Sequence, residues 1–178
     1  QTLRTSLKYF SYLCSMKLLK VEKIAREMMD EHFLYDYKFE WMNSVRTFGN
    51  HNGHSKVIKL SIPLTKYETN NERIINTILH EIAHAIDYNT RGYSAHDSAW
   101  RRIAKNIGCT GERCSSSGGV DKSKFMKWVV KCPSCDYKYY RARKTKRGSA
   151  CGGCCKKHNN NVYTDEYKLV WAQNKKRV

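Results

Sequence analysis

"LHEIAHAIDYNTRGYSAHDSAW", residues 79–100, sets three histidines and a glutamate in a stretch that otherwise reads as helix, turn and helix. His80-Glu81-Ile82-Ala83-His84 has the form H-E-x-x-H. On an α-helix, positions i and i+4 lie ~40° apart around the axis and ~6 Å apart along it, so both imidazoles can meet one ion. Glu81, next to one histidine and three residues before the other, is placed to take a proton from water at that ion. So short a motif also arises by chance, and a third ligand decides its meaning. A catalytic zinc takes three protein ligands and keeps one position open. His96, returned by the "NTRGYSA" turn onto a second helix, is the candidate for the third.

Other assignments compete. A metzincin ligand would fall six residues after His84, where this chain has Thr90, and that subclass is excluded. Asp87, three residues after His84, is either a rival ligand or an acceptor for an imidazole N–H. Glu112 is a weaker rival in a linker. The plainest alternative is a helix surface that carries histidines without a metal.

The flanking sequence supplies a scaffold. "NNERIINTILHEIAHAIDY" is an amphipathic helix capped at Asn70 or Asn71, with Glu72 in its first turn where the helix dipole favours an acid. Ser94 stands three residues before Asp97 in a capping-box pattern, which starts the second helix there, puts His96 in its first turn and ends it at Gly108. Upstream, 37–43 and 56–64 alternate as strands, with "FGNHNGHS" (48–55) as a turn-forming loop. From Met16 a helix sets Leu18, Leu19, Ile24, Ala25, Met28 and Met29 at core spacing. His32, His51, His54 and His158 show no ligand spacing and read as surface groups.

A second constellation lies downstream. Cys132-Pro-Ser-Cys135 and Cys151-Gly-Gly-Cys154 are two C-x-x-C knuckles that suit a closed tetrahedral zinc, with a hairpin between them. Such a site has no place for water, so this zinc is structural and supplies folding energy that a small module lacks. Cys155 is an alternative to Cys154; Cys14, Cys109 and Cys114 read as free thiols. Paired C-x-x-C motifs without a secretory leader fit metal binding in a reducing compartment, so the expected setting is intracellular, in cytoplasm or nucleus. No run approaches the ~20 apolar residues of a membrane helix.

Charge points to a partner. The chain carries 33 Lys and Arg against 16 Asp and Glu, net +17, of which residues 122–178 hold 16 basic and 3 acidic groups. Neutralising phosphates releases counterions, so this third of the chain is the expected polyanion contact. Between the knuckles, Tyr137, Tyr139 and Tyr140 alternate with Lys138, Arg141, Arg143, Lys144, Lys146 and Arg147. Aromatics among cations suit stacking of exposed bases with pairing of phosphates, and hence single-stranded DNA; a solvated hairpin with tyrosines on its packed face is the plainer reading.

The segments divide as 1–15, an extension without assigned role; 16–108, the histidine-bearing domain; 109–123, a Gly/Ser-rich linker; 124–172, the basic ribbon; and 173–178, a basic tail. The strand "VIKLSIPL", the helix with "HEIAHA", the third histidine before a tryptophan in "HDSAW", and a basic four-Cys ribbon occur in an order that resembles the SprT-like (Spartan-type) metalloproteases, over roughly residues 16–157. The resemblance implies an α+β, zincin-like protease domain with a C-terminal four-Cys zinc ribbon, and an enzyme that cuts proteins bound or crosslinked to DNA. Carried over, His80, His84 and His96 hold the catalytic zinc, Glu81 is the general base, and Trp100 matches the aromatic after the third histidine. Many members have Gly after that histidine where this chain has Asp97, a pattern closer to WLM-type relatives that also act on DNA-linked proteins.

The expectation is therefore a monomeric, two-zinc endopeptidase whose basic module tethers it to DNA and so raises the effective concentration of attached proteins. The strand at 56–64 would hold an extended substrate if it borders the cleft, and Tyr88 and Tyr93 are candidates to stabilise the oxyanion. The rival from another class is a non-catalytic zinc-ribbon nucleic-acid-binding protein whose His site is structural. A metallopeptidase indifferent to DNA is the third possibility.

Overall fold

A computed structural model describes residues 18–112 and 120–176, which fall into two units dividing after Val120. The expectations for residues 1–15, for Cys14 and Cys114 and for the middle of the 109–123 linker (113–119) lie outside the described residues.

The first unit opens with α1 (Leu18–Glu31), which buries Val21, Ile24, Ala25, Met28 and Met29 at i, i+3, i+4, i+7 and i+8, the apolar stripe that a one-sided helix requires. Leu19, expected in the core, is exposed because Val21 takes the stripe instead. Three strands follow: β1 (Lys38–Met42), β2 (Gly49–Asn52) and β3 (Val57–Ser61). Their order is β1-β3-β2, with β1 parallel and β2 antiparallel to β3. Segment 48–55 thus corrects the expectation of a plain loop. Its Gly, Asn and His residues have little strand propensity, and pairing with the buried β3 makes them a strand.

The third strand is shorter than its alternating pattern suggested. Ser61 ends it by turning its hydroxyl to accept from Leu64 N–H at 3.1 Å, which caps α2 (Ile62–Tyr67). Pro63 falls in the first turn of α2, where a missing N–H costs nothing. With β1 and β2 on either side, β3 has no free edge, so the expected strand addition to residues 56–64 is ruled out.

The long helix α3 (Asn71–Arg91) begins as its caps dictate. Asn70 accepts from Arg73 N–H at 3.3 Å, and Gly92 ends the helix at φ 78°, in the left-handed region that favours glycine. The next helix, α4 (Ser98–Asn106), is capped by Asp97, whose side chain accepts from Trp100 N–H at 3.0 Å. This corrects the expected start at Ser94 and takes His96 out of the helix onto the approach to it.

Strand β2 and the turn after it lie so close to α3 that Gly49 and Gly53 have no room for a side chain. A Cβ on Gly49 would stand 2.5 Å from Glu81 Oε1 and 2.8 Å from Thr77 Cγ2, and one on Gly53 would meet the Tyr88 ring at 2.3 Å. Gly49→Ala is expected to lower unfolding free energy by about 1–3 kcal/mol, the usual cost of overpacking a filled interior. Urea denaturation measures it.

The second unit is a three-stranded antiparallel sheet in the order β5-β4-β6, formed by β4 (Trp128–Lys131), β5 (Lys138–Arg141) and β6 (Val170–Gln173). The first knuckle is the turn between β4 and β5, and Cys151 caps a short helix, α5 (Gly152–His158). The hairpin is therefore built around the first knuckle, and the inter-knuckle segment contributes β5 to it rather than forming a hairpin of its own. A core of Val130, Tyr167 and Leu169 surrounds the buried cysteines, with Tyr139 and Trp171 packed on it. Asn174, assigned by sequence to the basic tail, is buried and donates to the Ser123 and Met126 carbonyls at 2.7 Å each. It ties the end of β6 to the start of the unit. Among the described residues, no helix is long and apolar enough to cross a membrane.

Candidate functional site

Helix periodicity puts His80 and His84 on one face of α3, and the turn after Gly92 brings His96 to them. Their Nε2 atoms converge: 3.2 Å between His80 and His84, 3.1 Å between His84 and His96, and 2.9 Å between His96 and His80. A tetrahedral zinc with Zn–N of ~2.0–2.1 Å sets its nitrogens ~3.3 Å apart. The three rings thus have the spacing of one shared ion and could hold zinc. Among the described residues, no fourth His, Cys, Asp or Glu joins this group.

The protonation chemistry agrees. Burial first, then the neighbouring imidazoles, pushes His84 down to about 3 and His80 down to about 4. Both rings are neutral near pH 7, with lone pairs available to a metal. Trp100, fully buried, stands 4.5–4.9 Å from all three imidazoles by ring centroid and walls the cluster off on one side.

The outer ring nitrogens show how the histidines are oriented. Nδ1 of His84 is 2.7 Å from Ser94 Oγ. Nδ1 of His80 lacks a close hydrogen-bond partner, although the Glu112 backbone still raises that ring's proton affinity. Ser94 therefore does what was considered for Asp87. The Asp87 carboxylate is taken by Arg91, at 2.7 and 2.6 Å, and is neither a ligand nor an imidazole acceptor. Ser94→Ala is expected to weaken zinc binding at the histidines about 10-fold or more, the usual effect of losing an orienting partner. Competition with a chromophoric chelator measures it.

Glu81 is 6 % exposed, and burial pushes its carboxyl up to about 8. Without a cation beside it the group is protonated near pH 7, and a metal at the three histidines would favour the carboxylate that a base requires. Glu81 faces a cleft of about 840 Å³ that runs between β2 and α3, lined also by Phe48, His51, Tyr88 and Tyr93. Pairing parity along β2 gives the direction of its backbone. Phe48 C=O accepts from Ser61 N–H, so Gly49 and His51, the alternate positions, turn their N–H and C=O away from β3.

His51 is a correction to the surface reading. It lines the cleft, stacks on His84 at 6.2 Å and on Tyr37 at 5.7 Å, and burial pushes it down to about 4. His32 is half-buried too, and its proton affinity falls for the same reason. The signal for His51 was its place between Gly49 and Gly53: only small residues flank the one side chain that fills the gap to α3. Tyr88 packs against Gly53 and His51, whereas Tyr93 stands exposed at the cleft.

In the second unit Cys132, Cys135, Cys151 and Cys154 turn their sulfurs together, with 3.7 Å between Cys132 and Cys154 and 3.8 Å between Cys135 and Cys151. A tetrahedral zinc with ~2.3 Å bonds sets sulfurs ~3.8 Å apart, whereas a disulfide needs ~2.05 Å. Cys155, though buried, lies outside the group. Burial, then the adjacent thiols, pushes Cys154 up to about 12. Burial opposes ionisation of Cys132 as well, but the Ser134 N–H and other bonds bring it down to about 7. The Cys132 thiolate forms readily, whereas Cys154 needs a cation to ionise, which is the donor chemistry of a metal site.

The aromatic and basic residues of this unit divide. Tyr137, Lys138, Arg141, Arg143, Lys144, Lys146 and Arg147 are exposed; Tyr139 and Tyr140 are half-buried, and Tyr139 packs on the cysteine core. The Arg141 guanidinium lies 5.2 Å from the Tyr139 ring centroid, and Lys144 Nζ 4.2 Å from that of Trp128. Trp128 thus joins this surface, a residue the inter-knuckle pattern left out.

Comparison with protein families matches residues 20–118 to the model of the SprT-like family. No curated protein and no solved structure matches the chain.

Proposed function

The chain belongs to the SprT-like family, and from that premise we propose that it is a zinc-dependent endopeptidase acting on proteins bound or crosslinked to DNA. The observation that carries the reading is Glu81, buried beside three converging imidazoles on a cleft bordered by a strand edge. His80, His84 and His96 would hold the zinc, leaving a position for a small ligand, and Cys132, Cys135, Cys151 and Cys154 would hold a second, structural ion. When bound, zinc in the histidine site supplies Lewis acidity that activates water and polarises a carbonyl.

The chain's own groups do the rest. An extended substrate pairs with the outward N–H and C=O groups of Gly49 and His51, which lays its backbone along the cleft. Glu81 takes a proton from the attacking water and returns it to the leaving amine. Ser94 and Trp100 keep the imidazoles in place. The exposed cations of the second unit, with Tyr137 and Trp128, bind single-stranded DNA through phosphate pairing and stacking. Selectivity then comes from tethering rather than from deep pockets.

The test replaces Arg143, Lys144, Lys146 and Arg147 by alanine in the full chain. Loss of DNA stimulation, with cleavage of an unstructured polypeptide preserved, supports the reading. Cleavage of DNA-crosslinked protein that is unaffected by added DNA in wild type leaves a metallopeptidase indifferent to DNA.

A further inference from the structure

His96 lies outside any helix, yet its Nε2 stands within 3.1 Å of the nitrogens of two histidines fixed on α3. A loop side chain holds such a position only when neighbouring groups lock it. Arg91, the last residue of α3, reaches between two carboxylates. Its Nε and Nη2 donate to Asp87 Oδ1 and Oδ2 at 2.7 and 2.6 Å, and its Nη1 and Nη2 donate to Asp97 Oδ2 and Oδ1 at 2.9 and 3.2 Å. Asp87 is fully buried one turn back on α3, the helix that bears His80 and His84. Asp97 adjoins His96 and caps α4 through Trp100 N–H.

We infer that Arg91 is a positioning residue of the metal centre: its guanidinium bridges the buried Asp87 to Asp97 and thereby fixes His96 relative to His80 and His84. The inference rests on the reading of the three histidines as a zinc site. A planar fork suits the task, because it binds each carboxylate with two N–H groups and resists rotation. A lysine, with a single ammonium, could not hold both carboxylates in that plane. Burial of Asp87 strengthens the clamp, since an unpaired carboxylate there would be very costly. The bridge also gives a physical role to Asp97. The aspartate both caps α4 and receives the clamp.

The test uses the full chain loaded with cobalt(II). Thiolate charge-transfer bands report the cysteine site and serve as an internal control, while the weaker visible bands of nitrogen coordination report the histidine site. Arg91→Met is expected to weaken metal binding at the histidines about 10- to 100-fold and to change those visible bands, with the thiolate bands unaltered. Asp97→Asn, which keeps a capping oxygen, is expected to cause a smaller loss. The double variant should be no weaker than Arg91→Met, because both changes break one bridge. Unchanged affinity and spectrum in the single variants, or losses that add in full, would overturn the clamp. If Arg91→Met does not fold, Asp97→Asn decides alone, and unchanged histidine-site binding in it sinks the proposal. Wild type that binds no metal at the histidines would instead defeat the underlying reading.

Discussion

Glu81→Gln is expected to reduce proteolysis by about 10²- to 10⁴-fold, the range for losing a general base, while leaving zinc bound at His80, His84 and His96. The substitution is nearly isosteric, and Glu81 is not among the groups that converge on the shared point. Burial raises the proton affinity of this carboxyl, so its surroundings suit a neutral side chain of the same shape. A neutral amide in the same packed position therefore removes the base and little else, and thermal stability should stay near that of wild type. The comparison is turnover of an unstructured protein, with zinc content measured on the same preparations. Equal turnover in the two proteins would remove Glu81 from the chemistry.

The second large effect is expected in the ribbon. Cys151→Ser removes one of four sulfurs and places a weaker ligand in a buried site that also caps α5. Structural zinc contributes roughly 10–16 kcal/mol to the folding of small modules, more than the remaining core of Val130, Tyr167 and Leu169 can replace. The variant should lose the β5-β4-β6 sheet, seen as disappearance of dispersed amide resonances from residues 121–176. Cleavage of free polypeptide by the first unit should persist, and stimulation by DNA should vanish. A ribbon that keeps its dispersion would show that the cysteine cluster is not what folds it.

Both candidate metal sites were legible because the side chains that could serve as ligands obey short-range geometry. Helical spacing brings His80 and His84 together whatever surrounds them, and C-x-x-C does the same for each knuckle. The third histidine was legible from order along the chain, but its setting was not. Ser94 and Asp97 are both good capping residues, and the choice fell to Asp97 because Arg91 holds it from α3. Asp87 looked available to the metal, although Arg91, four residues on along the same helix face, is the local sign of the ion pair that occupies it.

Strand β2 was illegible for a different reason. Gly49, Asn50, His51 and Asn52 have turn-like composition, and their strand conformation comes from pairing with β3 and from close packing on α3. His51 went unseen with it, since its environment comes from Tyr37, His84 and Tyr88, which lie 14 to 37 residues away in sequence. The alternating run 56–64 misled in the opposite sense, because apolar alternation continues past Ser61 while the hydroxyl cap and Pro63 turn the chain into α2. In the ribbon, the knuckle spacing said that four sulfurs meet but not which strands carry them.

The most direct measurement is cleavage of a protein crosslinked to single-stranded DNA by zinc-loaded chain, beside the same protein free of DNA and beside metal-stripped enzyme. Fragments that require zinc, and that form much faster from the DNA-attached protein than from the free one, are the expected result. An intact substrate, with zinc held at the histidines and DNA held by the ribbon, would contradict the account and leave a nucleic-acid-binding protein whose histidine site is structural.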